Sequence, residues 1–254
     1  MTIVEMEYRP FGLLSARRMI AKMPTGWNDL SGPQFIALNR NAIKRKDEVH
    51  LITILLSVKK SIAKRLDAYQ RFSILRNLDF IHTPSPIDRF IINEIAGLVA
   101  PEAKLRNFPF GAFMYGDTYF QDFAAGKPGA LDKFIACFYQ DRNKGFNPEA
   151  IEEHAKKISS IELDTRKAIA HNYVMLRTWL SKAFPYIFQK GTDQDKQSKD
   201  AGWVGVYDII VGDDIVNHES YARIPTMTML RYLNRKTKEY YKNGGRRKPV
   251  LRPR

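Results

Sequence analysis

Apolar residues recur at helical spacing through the C-terminal third of the chain. Ile169, Tyr173, Leu176, Leu180 and Phe184 fall at i, i+4, i+7, i+11 and i+15, which lays one apolar stripe along a helix of roughly five turns. Asp164-Thr165 is read as its cap, and Pro185 as its stop. The stretch Gln189 to Lys199 holds no large apolar residue and is read as a loop. Trp203, Val206, Tyr207 and Ile210 then predict a second amphipathic helix, halted at Gly212-Asp213-Asp214. A third begins near Pro225 and turns Met229, Leu230 and Leu233 inward. Three such faces must bury against one another or against the rest of the chain.

Upstream the pattern is more broken. Thr2 to Tyr8 alternates weakly, and Pro10 and Pro24 punctuate a segment read as irregular or short-stranded. Ser31 and Gln34 form a capping box ahead of a helix carrying Phe35, Ile36, Leu38 and Ile43. Asp47 caps a further helix with Leu51, Ile52, Ile54 and Leu55 in its core. Ile87 to Ala100 reads either as a helix or as a strand pair. Pro101, Pro109 and three nearby glycines favour loops, with a small β element allowed. Thr118 to Ala124 reads as a short helix ended by Gly126. Ala130 to Asp141 is a clearer one, with Leu131, Phe134, Ile135 and Phe138 on one face. Asn147-Pro148 opens another, faced by Ile151, Ala155 and Ile158.

The expected fold is therefore mainly α: a multi-helix globular body with a possible small β element near 87–115 and a flexible basic C-terminal tail. Four segments are expected: an N-terminal arm (1–26), helical regions at 27–145 and 146–243, and the tail at 244–254.

Composition changes this picture in one respect. The 254 residues carry a formal net charge of +14, which favours an anionic partner or acidic protein neighbours in an assembly. The charge concentrates at Lys44, Arg45 and Lys46, at Lys59, Lys60, Lys64 and Arg65, and at Arg246, Arg247, Lys248, Arg252 and Arg254. These are the candidate contacts for nucleic acid or an acidic partner, since Lys and Arg engage phosphates without reading sequence. Tyr240 and Tyr241 could stack on bases or close the last helix against its neighbour. A single cysteine, Cys137, excludes an intrachain disulfide and a multi-cysteine zinc site. Met1 to Arg9 has no hydrophobic signal core, and the longest apolar run, Leu51 to Val58, is far short of a membrane span.

Candidate chemistry is sparse. His50, His82, His154, His171 and His218 form no paired metal spacing. Asp208, Asp213 and Asp214 read as turn and cap composition rather than a magnesium site. Cys137 reads as buried filler. No phosphate-binding glycine loop, nucleophile elbow or His-Glu-x-x-His occurs. No catalytic, cofactor-binding or metal residue is assigned, no cofactor is expected, and the chain is read as a non-enzyme.

Several separated pieces carry a resemblance: Trp27-Asn28-Asp29-Leu30 with Gln34-Phe35, Tyr119-Phe120-Gln121-Asp122-Phe123, and Leu131 to Tyr139. Asn172-Tyr173 through Phe184 to Phe188, and Trp203 leading to Ile224-Pro225 and Leu230 to Leu233, complete it. This series resembles uncharacterised proteins encoded in the structural and tail-assembly modules of phages and prophages of Bacteroidetes hosts. The resemblance spans most of residues 27–235, rests on aromatic spacings and transfers no catalytic residue; the basic charge and the Arg246–Arg254 tail depart from it. It implies a phage morphogenesis protein, either a structural component of the tail or neck or a tail-assembly chaperone. The expected partners are other phage structural proteins and further copies of the chain, with DNA as an additional candidate and no membrane. The expected setting is the host cytoplasm during assembly, or the virion. The alternative expectation is a nucleic-acid-binding protein using the basic faces and the tail.

Overall fold

A computed structural model describes residues 1–10, 15–40, 47–77, 79–82, 85–142, 144–188 and 202–242. The chain is mainly α, with eleven α-helices and two two-stranded sheets among the described residues. Contacts divide it into two units, Met1–Ile87 and Asp88–Arg254.

The first unit opens with a hairpin. Strands β1 (Thr2–Tyr8) and β2 (Arg17–Met23) pair antiparallel, from Thr2 opposite Met23 to Tyr8 opposite Arg17. Strand alternation sends Met6, Ala21 and Met23 inward and leaves Ile3 and Ile20 on the outer face, each 70% exposed. Four helices follow: α1 (Gly32–Arg40), α2 (Glu48–Leu55), α3 (Lys60–Ala63) and α4 (Ala68–Leu75). Ser31 and Gln34 form the expected capping box, the Ser31 amide donating to Gln34 Oε1 at 2.8 Å. Asp47 caps α2 by accepting from the His50 amide at 3.1 Å. A second capping box, which the sequence reading missed, joins Asp67 and Gln70 at the start of α4. Gln70 Nε2 also donates to the Glu7 carbonyl at 3.0 Å, so one residue starts the helix and ties it to β1. Asp29 accepts from the Thr25 amide, the N-terminal amine and the Thr25 hydroxyl, and these hold its carboxyl at about 2. Trp27, Phe35, Ile52, Leu55 and Ile74 are among the buried core residues, with Trp27 edge-on to Phe35 at 6.0 Å.

The second unit begins with the small β element anticipated near 87–115: β3 (Glu94–Ile95) and β4 (Leu98–Val99). Its helices are α5 (Phe110–Ala124), α6 (Ala130–Phe138), α7 (Ile151–Ser159), α8 (Leu163–Ala183), α9 (Trp203–Val211), α10 (His218–Arg223) and α11 (Thr226–Lys242). The predicted stripe lies on α8, where Ile169, Tyr173, Leu176 and Leu180 are fully buried and Phe184 nearly so. The α8 cap is corrected: Glu162 is the N-cap residue, and Asp164 sits in the first turn, where a carboxylate favours the positive helix end. Helix α6 ends at Phe138 rather than running to Asp141. Asn147 caps the Pro148 turn ahead of α7, accepting from the Glu149 amide at 3.0 Å.

Helix α5 brings the largest correction. The reading allowed only Thr118 to Ala124, whereas the helix starts eight residues earlier, at Phe110. Pro109 occupies the N-cap, and Gly111 and Gly116 lie within the helix as positions of close approach. A β-carbon on Gly116 would stand 2.4 Å from Phe138 Cε2, and one on Gly111 would stand 3.1 Å from Ala222 Cβ. Phe138 is fully buried and packs at 4.9 Å from Tyr173, 5.5 Å from Phe134 and 5.3 Å from both Phe90 and Phe108. Its ring therefore has no open side to move to. Gly116→Ala is expected to lose about 1–2 kcal/mol, the overpacking cost less the gain in helix propensity. Urea unfolding of the variant measures this, and a stabilised variant would mean that the ring can yield.

Candidate functional site

Helix α5 is anchored from below by a buried carboxylate. Asp117 has no solvent exposure and receives four donors: Tyr173 Oη at 2.7 Å and Arg177 Nε at 3.2 Å on Oδ1, Trp203 Nε1 at 2.7 Å and Gln121 Nε2 at 2.9 Å on Oδ2. Helices α5, α8 and α9 thus meet on one charge. Burial, and then the Asp117 charge beside it, push the Tyr173 hydroxyl well above the usual phenol range, so it stays a donor. The start of α5 is fixed to the start of α11. The Phe110 amide donates to the Ile224 carbonyl at 2.9 Å, and Thr226 donates from both its amide and its hydroxyl to the Phe108 carbonyl at 2.7 Å.

On the outer side of this frame lies an open groove of about 990 Å³. Its floor is α5, through Met114, Tyr115 and Tyr119; its walls are the 144–149 loop on one side and Tyr207 with α10 on the other. Gly111 sets the width, because Ala222 of α10 approaches where a side chain would stand. Tyr115 is 45% exposed and lies 5.9 Å from the Phe146 ring. The Tyr207 hydroxyl donates to the His218 carbonyl, which holds α9 against the start of α10. Burial raises the Tyr119 hydroxyl, opposed by the Lys133 ammonium 5.7 Å from its ring, and burial likewise raises Tyr207. Both remain neutral donors at physiological pH. Charges of both signs line the groove, Lys144 and Arg223 with Glu149 and Glu219. Such a surface can seat an aromatic or apolar segment and orient it with a few polar contacts.

Of the basic residues singled out, Lys59, Lys60, Lys64 and Arg65 are exposed around α3 in the first unit. Lys44, Arg45 and Lys46, and Arg246, Arg247, Lys248, Arg252 and Arg254, lie outside the described residues. Cys137 is fully buried, and burial pushes its thiol far above the usual range. His154 is buried on α7 with Nε2 3.5 Å from Asp141 Oδ2. Asp214 accepts from Asn217 Nδ2 at 3.0 Å and Tyr221 Oη at 3.1 Å, as a turn residue does. Among the described residues no group of three or more His, Cys, Asp or Glu is placed to hold a metal ion, and no helix is long and apolar enough to cross a membrane.

The groove itself was missed in the sequence. Tyr115 and Tyr119 stand at i and i+4, which could have signalled a shared face, but a helix had to be recognised there first. Comparison with protein-family models, curated proteins and solved structures finds no match.

Proposed function

We propose that this chain is a phage morphogenesis protein, a structural component of the tail or neck or a tail-assembly chaperone, acting through protein–protein contacts and not by catalysis. The observation that carries this reading is the groove on α5. Tyr115, Tyr119, Phe146 and Tyr207 gather there as rigid aromatic anchors, the kind of side chain on which protein interfaces concentrate their binding energy. The sequence resemblance supports the setting: the host cytoplasm during assembly, with other structural proteins and copies of the chain as neighbours.

Deleting the gene from a phage or prophage and examining purified particles tests the reading. A structural component is present in particles in fixed stoichiometry; a chaperone is absent from them, and its deletion blocks assembly. Absence from particles combined with normal assembly in the deletion rejects both forms. Tyr115→Arg is expected to keep the thermal midpoint, because Tyr115 is a surface position. It is also expected to lower complementation of the deletion at least tenfold, since losing an interface anchor costs about 2 kcal/mol. Full complementation would remove the groove from the proposal.

A further inference from the structure

Helix α11 carries a second surface that the groove does not account for. Arg231, Arg235, Lys238 and Lys242 follow one another at i, i+4, i+7 and i+11 and are all exposed. They form one stripe about 16 Å long, at 1.5 Å per residue. The stripe lies opposite the buried Met229, Leu230, Leu233 and Thr237. Lys236 adds a fifth cation, and Glu239 is the one acid in the helix, 4.0 Å from Arg235 and 3.8 Å from Lys236.

Aromatic rings flank this stripe on both sides. Tyr232, 43% exposed, lies one position round the helix from Arg231, with Arg235 and Lys236 about 6 Å from its ring centroid. On the other side the Tyr241 ring lies 6.5 Å from Tyr186, and Lys238 stands 5.6 Å over the Tyr186 ring. Asn234 Oδ1 accepts from the Tyr186 amide at 3.0 Å, which holds that ring against the helix.

We propose that the outer face of α11 binds single-stranded nucleic acid, the cations taking phosphates and Tyr232 stacking on a base. A row of cations tracks a phosphate backbone, and at 3.4 Å per nucleotide the stripe covers about five stacked nucleotides. Flanking aromatics select the single strand, because only unpaired bases offer free faces for stacking. An anionic membrane fits less well. A helix that lies in a bilayer surface inserts an apolar face, and the apolar face of α11 is buried within its own unit. This activity goes beyond the morphogenesis reading and stands independently of the groove.

The test uses the full chain and a fluorescently labelled 20-mer of deoxythymidine, with affinity measured by anisotropy between 50 and 200 mM NaCl. The comparison variant is Arg231→Gln/Arg235→Gln/Lys238→Gln/Lys242→Gln, checked for an unchanged thermal midpoint. At about −0.7 in log–log slope per phosphate, four lost contacts flatten the salt dependence by about 3, so the stripe accounts for a roughly 50-fold change across that salt range. Tyr232→Ala is expected to weaken the 20-mer roughly tenfold and leave a 20-base-pair duplex unchanged. Restoring charge with lysine at 231 and 235 should recover part of the slope. An unchanged slope in the fourfold variant overturns the proposal. So does binding to phosphatidylserine vesicles without binding to the 20-mer, or duplex binding as tight as single-strand binding with Tyr232→Ala silent.

Discussion

Asp117→Ala is expected to remove about 3–5 kcal/mol of stability, the cost of breaking a buried charge pair from one side. The carboxylate is fully buried and its two oxygens receive two donors each, which fills its acceptor capacity. Its loss leaves the Tyr173 hydroxyl and the Trp203 indole without an acceptor in the interior, each adding its own desolvation cost, and removes the ion-pair partner of the partly exposed Arg177. Asp117→Asn preserves the shape but turns an amide N–H₂ toward two of the four donors, so an intermediate loss of about 2–3 kcal/mol is expected. Urea unfolding followed by both tryptophan fluorescence and circular dichroism measures the change. A loss under about 1 kcal/mol in the alanine variant would show that the donors find other partners. Because α5 carries the groove floor, the same variant should also impair complementation of a gene deletion, unlike a surface substitution away from the groove.

The second large effect is expected at Asn172→Ala. Asn172 lies on α8 with 1% exposure, accepts from the Ile91 amide at 2.6 Å and donates to the Arg89 carbonyl at 2.9 Å. One side chain thus satisfies both a donor and an acceptor of the irregular segment before β3. That segment is also held by Tyr139, whose hydroxyl donates to the Ile92 carbonyl at 2.6 Å. Alanine orphans a buried N–H and opens a cavity, for an expected loss of about 2–4 kcal/mol. Hydrogen exchange localises it: the Ile91 amide should lose protection before the amides of α8 do. Equal loss of protection throughout the unit would mean that the segment and helix open together. Asn172→Asp is a useful contrast, since it keeps the acceptor but sets a carboxylate oxygen against the Arg89 carbonyl.

The two effects also mark where the sequence was readable. The α8 stripe was legible because Ile169, Tyr173, Leu176 and Leu180 repeat with the helical period, and burial alone accounts for them. Asn172 and Asp117 were not legible, because their burial depends on partners 56 to 86 positions away, Gln121 beside Asp117 excepted. The first half of α5 was lost for a related reason. Glycine marks a turn or a close approach with the same letter, and only Phe138 and Ala222, distant in the chain, decide which. The β1–β2 pair gave a weak alternation because its outer face keeps Ile3 and Ile20. The exposure of Lys59, Lys60, Lys64 and Arg65 around α3 was readable from charge alone. The groove draws on four separated stretches and has no local signature. The α11 stripe is present as a plain i, i+4, i+7, i+11 repeat, but such a repeat of cations is also the ordinary solvated face of a helix.

The junction between the starts of α5 and α11 also sets a schedule. The Phe108 carbonyl waits for Thr226, 118 residues later in synthesis. At 5–20 residues per second a ribosome takes about 6–24 s to deliver that partner. During this interval α5 and α6 can pair and the Phe138 cluster can form, but the Phe108 carbonyl and the Phe110 amide lack Thr226 and Ile224 as partners. The second unit is therefore closed by α11, and a nascent chain halted before Thr226 should be far more open to protease than one extended through Lys242.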